Sequence, residues 1–281
     1  MKKRILKSVS LIISVVMLLL AVSVPCSADD SQAKTSDLIA YYSFDDINGT
    51  TVPDRSGNGH NGTIKGTASV TLGKLGTAIN FDKAGDCVSV PHSEELNFAA
   101  TDSYTISLWV KPEALNTDWQ CVIAKNRSIN PPRGYLGFWF EGSKFAYCQG
   151  TDGSTWFDNP RYPGAKNDTW YNVVMVQDAA ANKSIMYVDG VKAVEKAYTK
   201  PCSGTTPLFM GNGDGINLNQ FYGSLDEVKI YNTAKSASEI TEAYNADKAN
   251  AGSTVAYWDF ENITDGVVPD VSGNGHNGNI G

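Results

Sequence analysis

Thr105-Ile106-Ser107-Leu108-Trp109-Val110 alternates over six residues, and that period of two decides the fold. In an extended chain successive side chains point to opposite faces, so the stretch reads as a strand. Downstream, Asn172-Val173-Val174-Met175-Val176 and Ser184-Ile185-Met186-Tyr187-Val188 are rich in β-branched and aromatic residues and read the same way. Asp189-Gly190 then precedes Val191-Lys192-Ala193-Val194, a two-residue hairpin signal in which glycine takes the positive φ of a primed turn. Gly134 to Cys148 reads as two more strands folded over Glu141-Gly142-Ser143. One helix is predicted near the end, where Ser236 and Glu239 form a capping-box pattern ahead of Ile240 and Tyr244 at i, i+4. Many short strands with regular turns predict an all-β chain: a two-sheet antiparallel β-sandwich with one short C-terminal helix.

Outward from this centre the sequence repeats itself. Ala40-Tyr41-Tyr42-Ser43-Phe44 returns as Ala256-Tyr257-Trp258-Asp259-Phe260, Val52-Pro53-Asp54 as Val268-Pro269-Asp270, and Ser56 to Gly62 unchanged as Ser272 to Gly278. Fifteen of the 25 residues from Ala40 to Ile64 recur 216 positions later without a gap. The period gives a unit over 38–246, preceded by a linker at 29–37 and followed by a small-polar linker at 247–254 and the truncated start of a second repeat at 255–281. A unit of about 210 residues buries a substantial core, whereas a tail of about 27 does not, and it is expected to be disordered or to borrow a partner. Because the tail imitates the first strand and turn, strand-swapped self-association through it is also expected.

At the other end, Lys2, Lys3, Arg4 and Lys7 precede the apolar run Leu11 to Val24, and small residues at Cys26 and Ala28 suit cleavage. That pattern predicts a signal peptide over 1–28 and a secreted, extracellular protein with no membrane anchor. The remaining chain carries 19 Lys and Arg against 30 Asp and Glu, a poor surface for nucleic acid and one with carboxylates to spare for divalent cations. Cys87, Cys121, Cys148 and Cys202 are spaced too widely for a zinc knuckle or redox motif. Four such cysteines allow three disulfide pairings, of which Cys121 with Cys148 is favoured because both end apolar runs that can pair; buried thiols are the alternative.

Tyr41-Tyr42-Ser43-Phe44-Asp45, followed by Asp54-Arg55-Ser56-Gly57-Asn58-Gly59-His60-Asn61-Gly62, resembles the start of laminin G-like jelly-roll domains of the concanavalin A-like lectin/glucanase superfamily. In the same order, Ile106 to Pro112 resembles the first long inner strand of that family, and Trp170 to Val174 with Tyr187 to Gly190 its central hairpin. Phe221 to Asn232 with the helix after it resembles the closing strand and helix, so the likeness spans nearly the whole unit. The resemblance implies a jelly roll and a calcium ion between the early glycine-rich loop and the closing strand. Mapped here, its ligands are Asp45, Asn58, His60 through its backbone oxygen, and Asp226 through its carboxylate. The same glycines also suit a plain tight turn, and Glu261 stands in the second copy where Asp45 stands in the first.

Catalysis is not expected. Gly57, Gly59 and Gly62 match a dinucleotide-loop spacing but open no helix. No Glu-x-Asp-x-Glu strand pattern or Gly-x-Ser-x-Gly elbow occurs, and the adjacent Asp226 and Glu227 of a regular strand would point to opposite faces. A recognition role remains. Arg133, Tyr135, Trp139, Trp156 and Tyr162 lie among Asn, Asp and Gln residues, and with Leu136, Phe138 and Phe140 turned to the core, Tyr135 and Trp139 face outward as sugar-stacking candidates. The same aromatics equally well fill the sandwich or cover a loop; Trp109 and Trp170, on apolar strands, read as core. The expected function is a non-catalytic, calcium-stabilised module that binds a polysaccharide or cell-surface glycan as part of a larger extracellular protein. The alternatives are a structural or adhesive repeat that binds a cell-surface protein, and a glycoside hydrolase.

Overall fold

The computed structural model describes residues 37–281 apart from 100, 117, 126–135, 148–149, 152–154, 157–160, 199–202, 214–218, 252–255, 257, 259, 261–262, 272–275 and 281. The predicted signal peptide therefore lies outside the described residues. In chain order the strands are β1 (Leu38–Tyr42), β2 (Thr51–Val52), β3 (Gly62–Lys65), β4 (Ser69–Leu72), β5 (Thr77–Phe81), β6 (Cys87–Val90), β7 (Tyr104–Pro112), β8 (Trp119–Lys125), β9 (Leu136–Glu141) and β10 (Lys144–Tyr147). They continue as β11 (Gly150–Thr151), β12 (Thr155–Trp156), β13 (Arg161–Pro163), β14 (Tyr171–Asp178), β15 (Lys183–Val188), β16 (Val191–Ala197), β17 (Leu208–Met210), β18 (Gly223–Tyr231), β19 (Val267–Val268) and β20 (Gly278–Asn279), with helix α1 (Ala237–Asn250) after β18.

Two antiparallel sheets result. The first runs β16-β15-β14-β7-β18-β5-β4, with β1 also paired to β18; the second runs β13-β10-β9-β8-β17-β6-β3-β2. Alternation along β7 sends Ile106, Leu108 and Val110 into the shared core, where they join Val173, Met175, Leu225 and Ile230 of the first sheet and Val122, Phe138, Phe140 and Met210 of the second. The last strand of the sandwich, β18, is central to the first sheet. Its other edge is divided, with β5 pairing Gly223 to Leu225 and β1 pairing Val228 to Tyr231.

The Asp189-Gly190 hairpin forms as the sequence predicts, with φ of 52° and 75°. Helix α1 begins in the expected capping box, where Ser236 and Glu239 satisfy each other's backbone N–H groups. Ile240 packs on Val174, Val176 and Tyr187 of the first sheet's outer face, and Tyr244 stacks on Trp109 with ring centroids 5.8 Å apart. The Trp109 indole donates to Asp247 Oδ2 at 2.8 Å. Trp109 is thus buried, but beneath the helix instead of between the sheets. Trp170 departs from its core assignment: it is half-exposed just before β14, with Lys111 Nζ 5.7 Å above its ring.

Three other expectations change. Helix α1 continues to Asn250, through four of the residues expected in a linker, because Asp247 is tied to the sheet. The tail is not disordered throughout: β19 and β20 pair, for reasons taken up in the Discussion. No disulfide forms among the described residues; Cys87 and Cys121 are buried on β6 and β8, and Cys148 and Cys202, with the pairing predicted for Cys148, lie outside the described residues.

Candidate functional site

Where β18 passes from β5 to β1, Asp226 is opposite Trp109 and Lys229 opposite Ser107, so one extra residue is accommodated in a β-bulge. Glu227 takes φ of 51° there. The bulge overturns the expected alternation: Asp226 and Glu227 both come to the outer side of the first sheet. Glu227 accepts hydrogen bonds from the Tyr41 hydroxyl at 2.8 and 3.0 Å and pairs with Lys229 Nζ at 2.6 Å. Asp226 is fully buried.

The β4–β5 turn closes over these groups. Leu75 N–H donates to Asp226 Oδ2 at 2.8 Å, and Thr77 N–H donates to Asp45 Oδ1 at 2.9 Å. Gly73 and Gly76 make this possible, since a Cβ on Gly73 would collide with Asp226 Oδ2 and one on Gly76, at φ of 58°, with Asp45 Oδ1. Asp226 Oδ1 is sealed from solvent without a hydrogen-bond partner. Burial raises the Asp226 carboxyl to about 8, opposed by the Leu75 N–H and reinforced by the charges of Glu227 and Asp45. Two carboxylates, one with an orphaned oxygen, and a glycine cradle that admits only main chain are a donor set that fits a hard cation. Among the described residues no group of three or more His, Cys, Asp or Glu side chains is placed to hold a metal, so backbone oxygens would complete such a set.

Asn58 and His60 belong to a different construction, centred on Asp54. Its carboxylate accepts from Tyr41 N–H (3.0 Å), Ser56 N–H (2.9 Å), Ser56 Oγ (2.8 Å) and His60 N–H (2.9 Å). Burial would raise the Asp54 carboxyl, but these bonds hold it below the usual carboxylate range. Asn58 Nδ2 donates to the carbonyls of Leu38 and Ile39, leaving its Oδ1 buried without a partner. His60 carbonyl accepts from the Tyr42 hydroxyl at 2.7 Å, and its ring meets Glu95 at 2.7 Å. The structure thus brings Asp45 and Asp226 together under one turn and gives Asn58 and His60 no hydrogen-bond partner in common with them. Sequence reasoning missed Asp54, although an aspartate two residues before a serine is a recognisable turn-forming signal.

The aromatic candidates concern the outer face of the second sheet. Trp139 does point away from the core, as alternation predicts, yet it is only 3 % exposed. It lies over Gly137, among Cys121, Ala124 and Ala146, and meets half-buried Trp119 edge-on at 6.2 Å. Arg161 of edge strand β13 sits 5.4 Å above the Trp119 ring and pairs with Glu141. Tyr162, the next residue on β13, turns to the opposite side of the sheet, against Phe145 with ring centroids 6.3 Å apart, and is 38 % exposed at the sheet edge. Arg133 and Tyr135 lie outside the described residues, and for Trp156 only its place in β12, paired to β11, is described. Trp119 and Arg161 were not foreseen, because their pairing depends on which strand lies at the sheet edge.

Solved structures share this architecture. The binding domain of Paraclostridial Mosquitocidal Protein 1 superposes with a TM-score of 0.61 at 15 % identity, over 81 % of this chain and 55 % of that one. The receptor binding domain of botulinum neurotoxin D gives 0.59 at 14 % identity, over 75 % and 52 %. Domain 4 of AbnA, a GH43 extracellular arabinanase from Geobacillus stearothermophilus solved in complex with arabinotriose, gives 0.53 at 24 % identity, over 74 % and 98 %. The chain spans about half the length of the first two, and at these identities all three likenesses are likenesses of fold. No curated protein matches the sequence. A laminin G-type family model matches residues 82–241, more than half of the chain, and the chain belongs to the concanavalin A-like lectin/glucanase superfamily.

Proposed function

We propose that this chain is a secreted, non-catalytic recognition module that binds a neutral polysaccharide or cell-surface glycan on the outer face of its second sheet, and that calcium at Asp45 and Asp226 stabilises it. The observation that carries the glycan reading is the β13 edge of that sheet, where half-buried Trp119 lies beneath the Glu141-anchored Arg161 on the outer side and Tyr162 is 38 % exposed on the other side of the strand. A ring face with a fixed guanidinium next to it offers both the stacking surface and the hydrogen-bond donors a sugar needs. The arabinanase domain solved with arabinotriose supports a saccharide as ligand for this fold. Tyr135, Trp156 and Arg133 are carried in the proposal as further contacts on the sequence pattern alone.

A non-catalytic role is supported by the state of the adjacent carboxylates Asp226 and Glu227. Glu227 is occupied by Tyr41 and Lys229, and Asp226 is closed off from solvent. Calcium between Asp45 and Asp226 would supply a positive charge to the buried carboxylate and use the oxygen that has no partner. The likeness to two receptor or target binding domains favours, as a second reading, a cell-surface protein as the partner.

A neutral-glycan array probed in calcium separates these readings. Binding that is lost in both Tyr162→Ala and Trp119→Ala supports the glycan site. Silence on the array with saturable binding to protease-sensitive cell surfaces would move the function to a protein partner, and release of reducing sugar from any array member would overturn the non-catalytic reading.

A further inference from the structure

On the opposite side of the molecule, helix α1 does not lie flat on the first sheet. It is docked along β14 and β15, where Ile240 packs on Val174 and Val176, Tyr244 rests against Gly190, and Thr241 Oγ1 donates to the Gly190 carbonyl at 3.1 Å. Toward β7 and β18 both surfaces carry small residues, Ala243 and Ala246 on the helix and Ser107 on the sheet. The result is a cleft of about 430 Å³ whose walls include Ser107, Asn172, Lys229, Tyr231, Ala243 and Tyr244. That volume is within the range of small-molecule sites.

Its polar groups divide sharply by charge. Every charged wall residue already has a partner: Lys229 pairs with Glu227 at 2.6 Å, and Lys235 with Asp37 and Glu239 at 2.5 and 3.1 Å. Glu242 accepts from Ser238 Oγ at 2.7 Å and Asp247 from the Trp109 indole at 2.8 Å. The uncharged groups are the ones left over. Asn172 is 97 % buried by virtue of its 3 % exposure, and its main chain is bonded to Asp189, yet its side-chain amide has no hydrogen-bond partner among the described residues. The hydroxyls of Ser107, Tyr231 and Tyr244 likewise line the cleft without one. A charged occupant would have to compete with an existing ion pair to be held, whereas a neutral polyhydroxylated one can use the Asn172 amide and the Ser107, Tyr231 and Tyr244 hydroxyls and leave the paired groups as they are.

From this we infer that the cleft between α1 and the first sheet is a second binding site, for a neutral saccharide of one or two sugar rings, with Asn172 as its central hydrogen-bonding group. It is independent of the aromatic face proposed above, which belongs to the other sheet.

The test is to titrate the whole chain with free D-glucose, D-galactose, D-xylose, L-arabinose and their disaccharides while following the side-chain amide signals of Asn172 by nuclear magnetic resonance. At least one of these sugars is expected to shift the signals saturably. Ala243→Leu, which fills the cleft from a helix position that tolerates leucine, is expected to weaken that binding by roughly tenfold or more while leaving the melting temperature unchanged or raised. Ser107→Val serves the same purpose should Ala243→Leu fail to fold, and Tyr162→Ala should leave this binding intact. The inference is overturned if no sugar moves the Asn172 amide, or if the filled variants bind as wild type does. Sugar responses lost only in Tyr162→Ala would leave the second-sheet site standing and remove this one.

Discussion

The same corner of structure is built twice in this chain, once inside the sandwich and once outside it. In each copy an aspartate accepts from the histidine N–H at 2.9 Å, Asp54 from His60 and Asp270 from His276. In each the aspartate N–H donates to an asparagine, Asn61 at 2.8 Å and Asn277 at 2.9 Å, and the histidine carbonyl accepts from an aromatic, Tyr42 at 2.7 Å and Trp258 at 2.8 Å. Strands β2 and β3 pair as β19 and β20 do, and Phe44 and Phe260 share a left-handed φ of 62° and 60°. Burial is what differs. Tyr42 and Phe44 are 0 and 2 % exposed, while Trp258 and Phe260 are 41 and 64 % exposed. Local hydrogen bonds therefore specify the shape of the corner, and the two sheets supply its apolar burial.

Mutations at matched positions should separate those two contributions. The largest effect is expected at Phe44: Phe44→Ala should lower unfolding free energy by about 3–5 kcal/mol, while Phe260→Ala stays within about 0.5 kcal/mol, both read by urea denaturation. Equal losses would mean that the second copy shares the main core. Next, Asp54→Ala strands four donors and should cost about 2–4 kcal/mol, against little for Asp270→Ala in the same measurement.

A third prediction concerns a feature described only in the first copy, the Asp226 bulge. Its carboxyl is raised from 3.8 to about 8, so the folded state holds a proton that the unfolded state releases. The stability this confers is complete below about pH 4 and is lost as pH rises toward 8, by at most about 1.4 kcal/mol per pH unit. In chelator, melting temperature should fall over that window; calcium should flatten the fall by neutralising the carboxylate, and Asp226→Asn should remove both behaviours. A pH profile indifferent to calcium would detach the metal from this site. The smallest effect on stability is expected from ending the chain at Ala251. Its unfolding midpoint should match the whole chain; the whole chain, with Trp258, Phe260 and Ile280 exposed, is expected to associate with rising concentration in light scattering, and the shortened chain is expected to stay monomeric. Association that persists would assign it to another surface.

Much of this was legible in the sequence because it is local or periodic. The two-residue turn at Asp189-Gly190, the capping box at Ser236 and the inward face of β7 follow from short-range rules. The repeated Ser-Gly-Asn-Gly-His turn was legible too, but its hub was not: attention to the glycines passed over Asp54. The bulge at Asp226 left no mark, since Glu227 adopts a left-handed backbone without glycine to signal it. The Gly73–Gly76 turn escaped for a related reason, as its glycines answer to carboxylates distant in sequence. Trp139 shows the limit of alternation, which gives the direction of a side chain but not what lies over it.

The central position of β18 also sets a timetable. Until residues 223–231 are available, β7 and β5 each present an edge with nothing to pair against, and β1 has no partner strand at all. A chain made from its N-terminus forward accordingly holds both halves of the first sheet open for almost its entire length, then closes them in one late step that also brings Asp226 under the turn already formed by Gly73 to Gly76. Shortened chains that stop before that strand would keep two sticky edges, which makes the last tenth of the unit its safeguard against aggregation as well as its keystone.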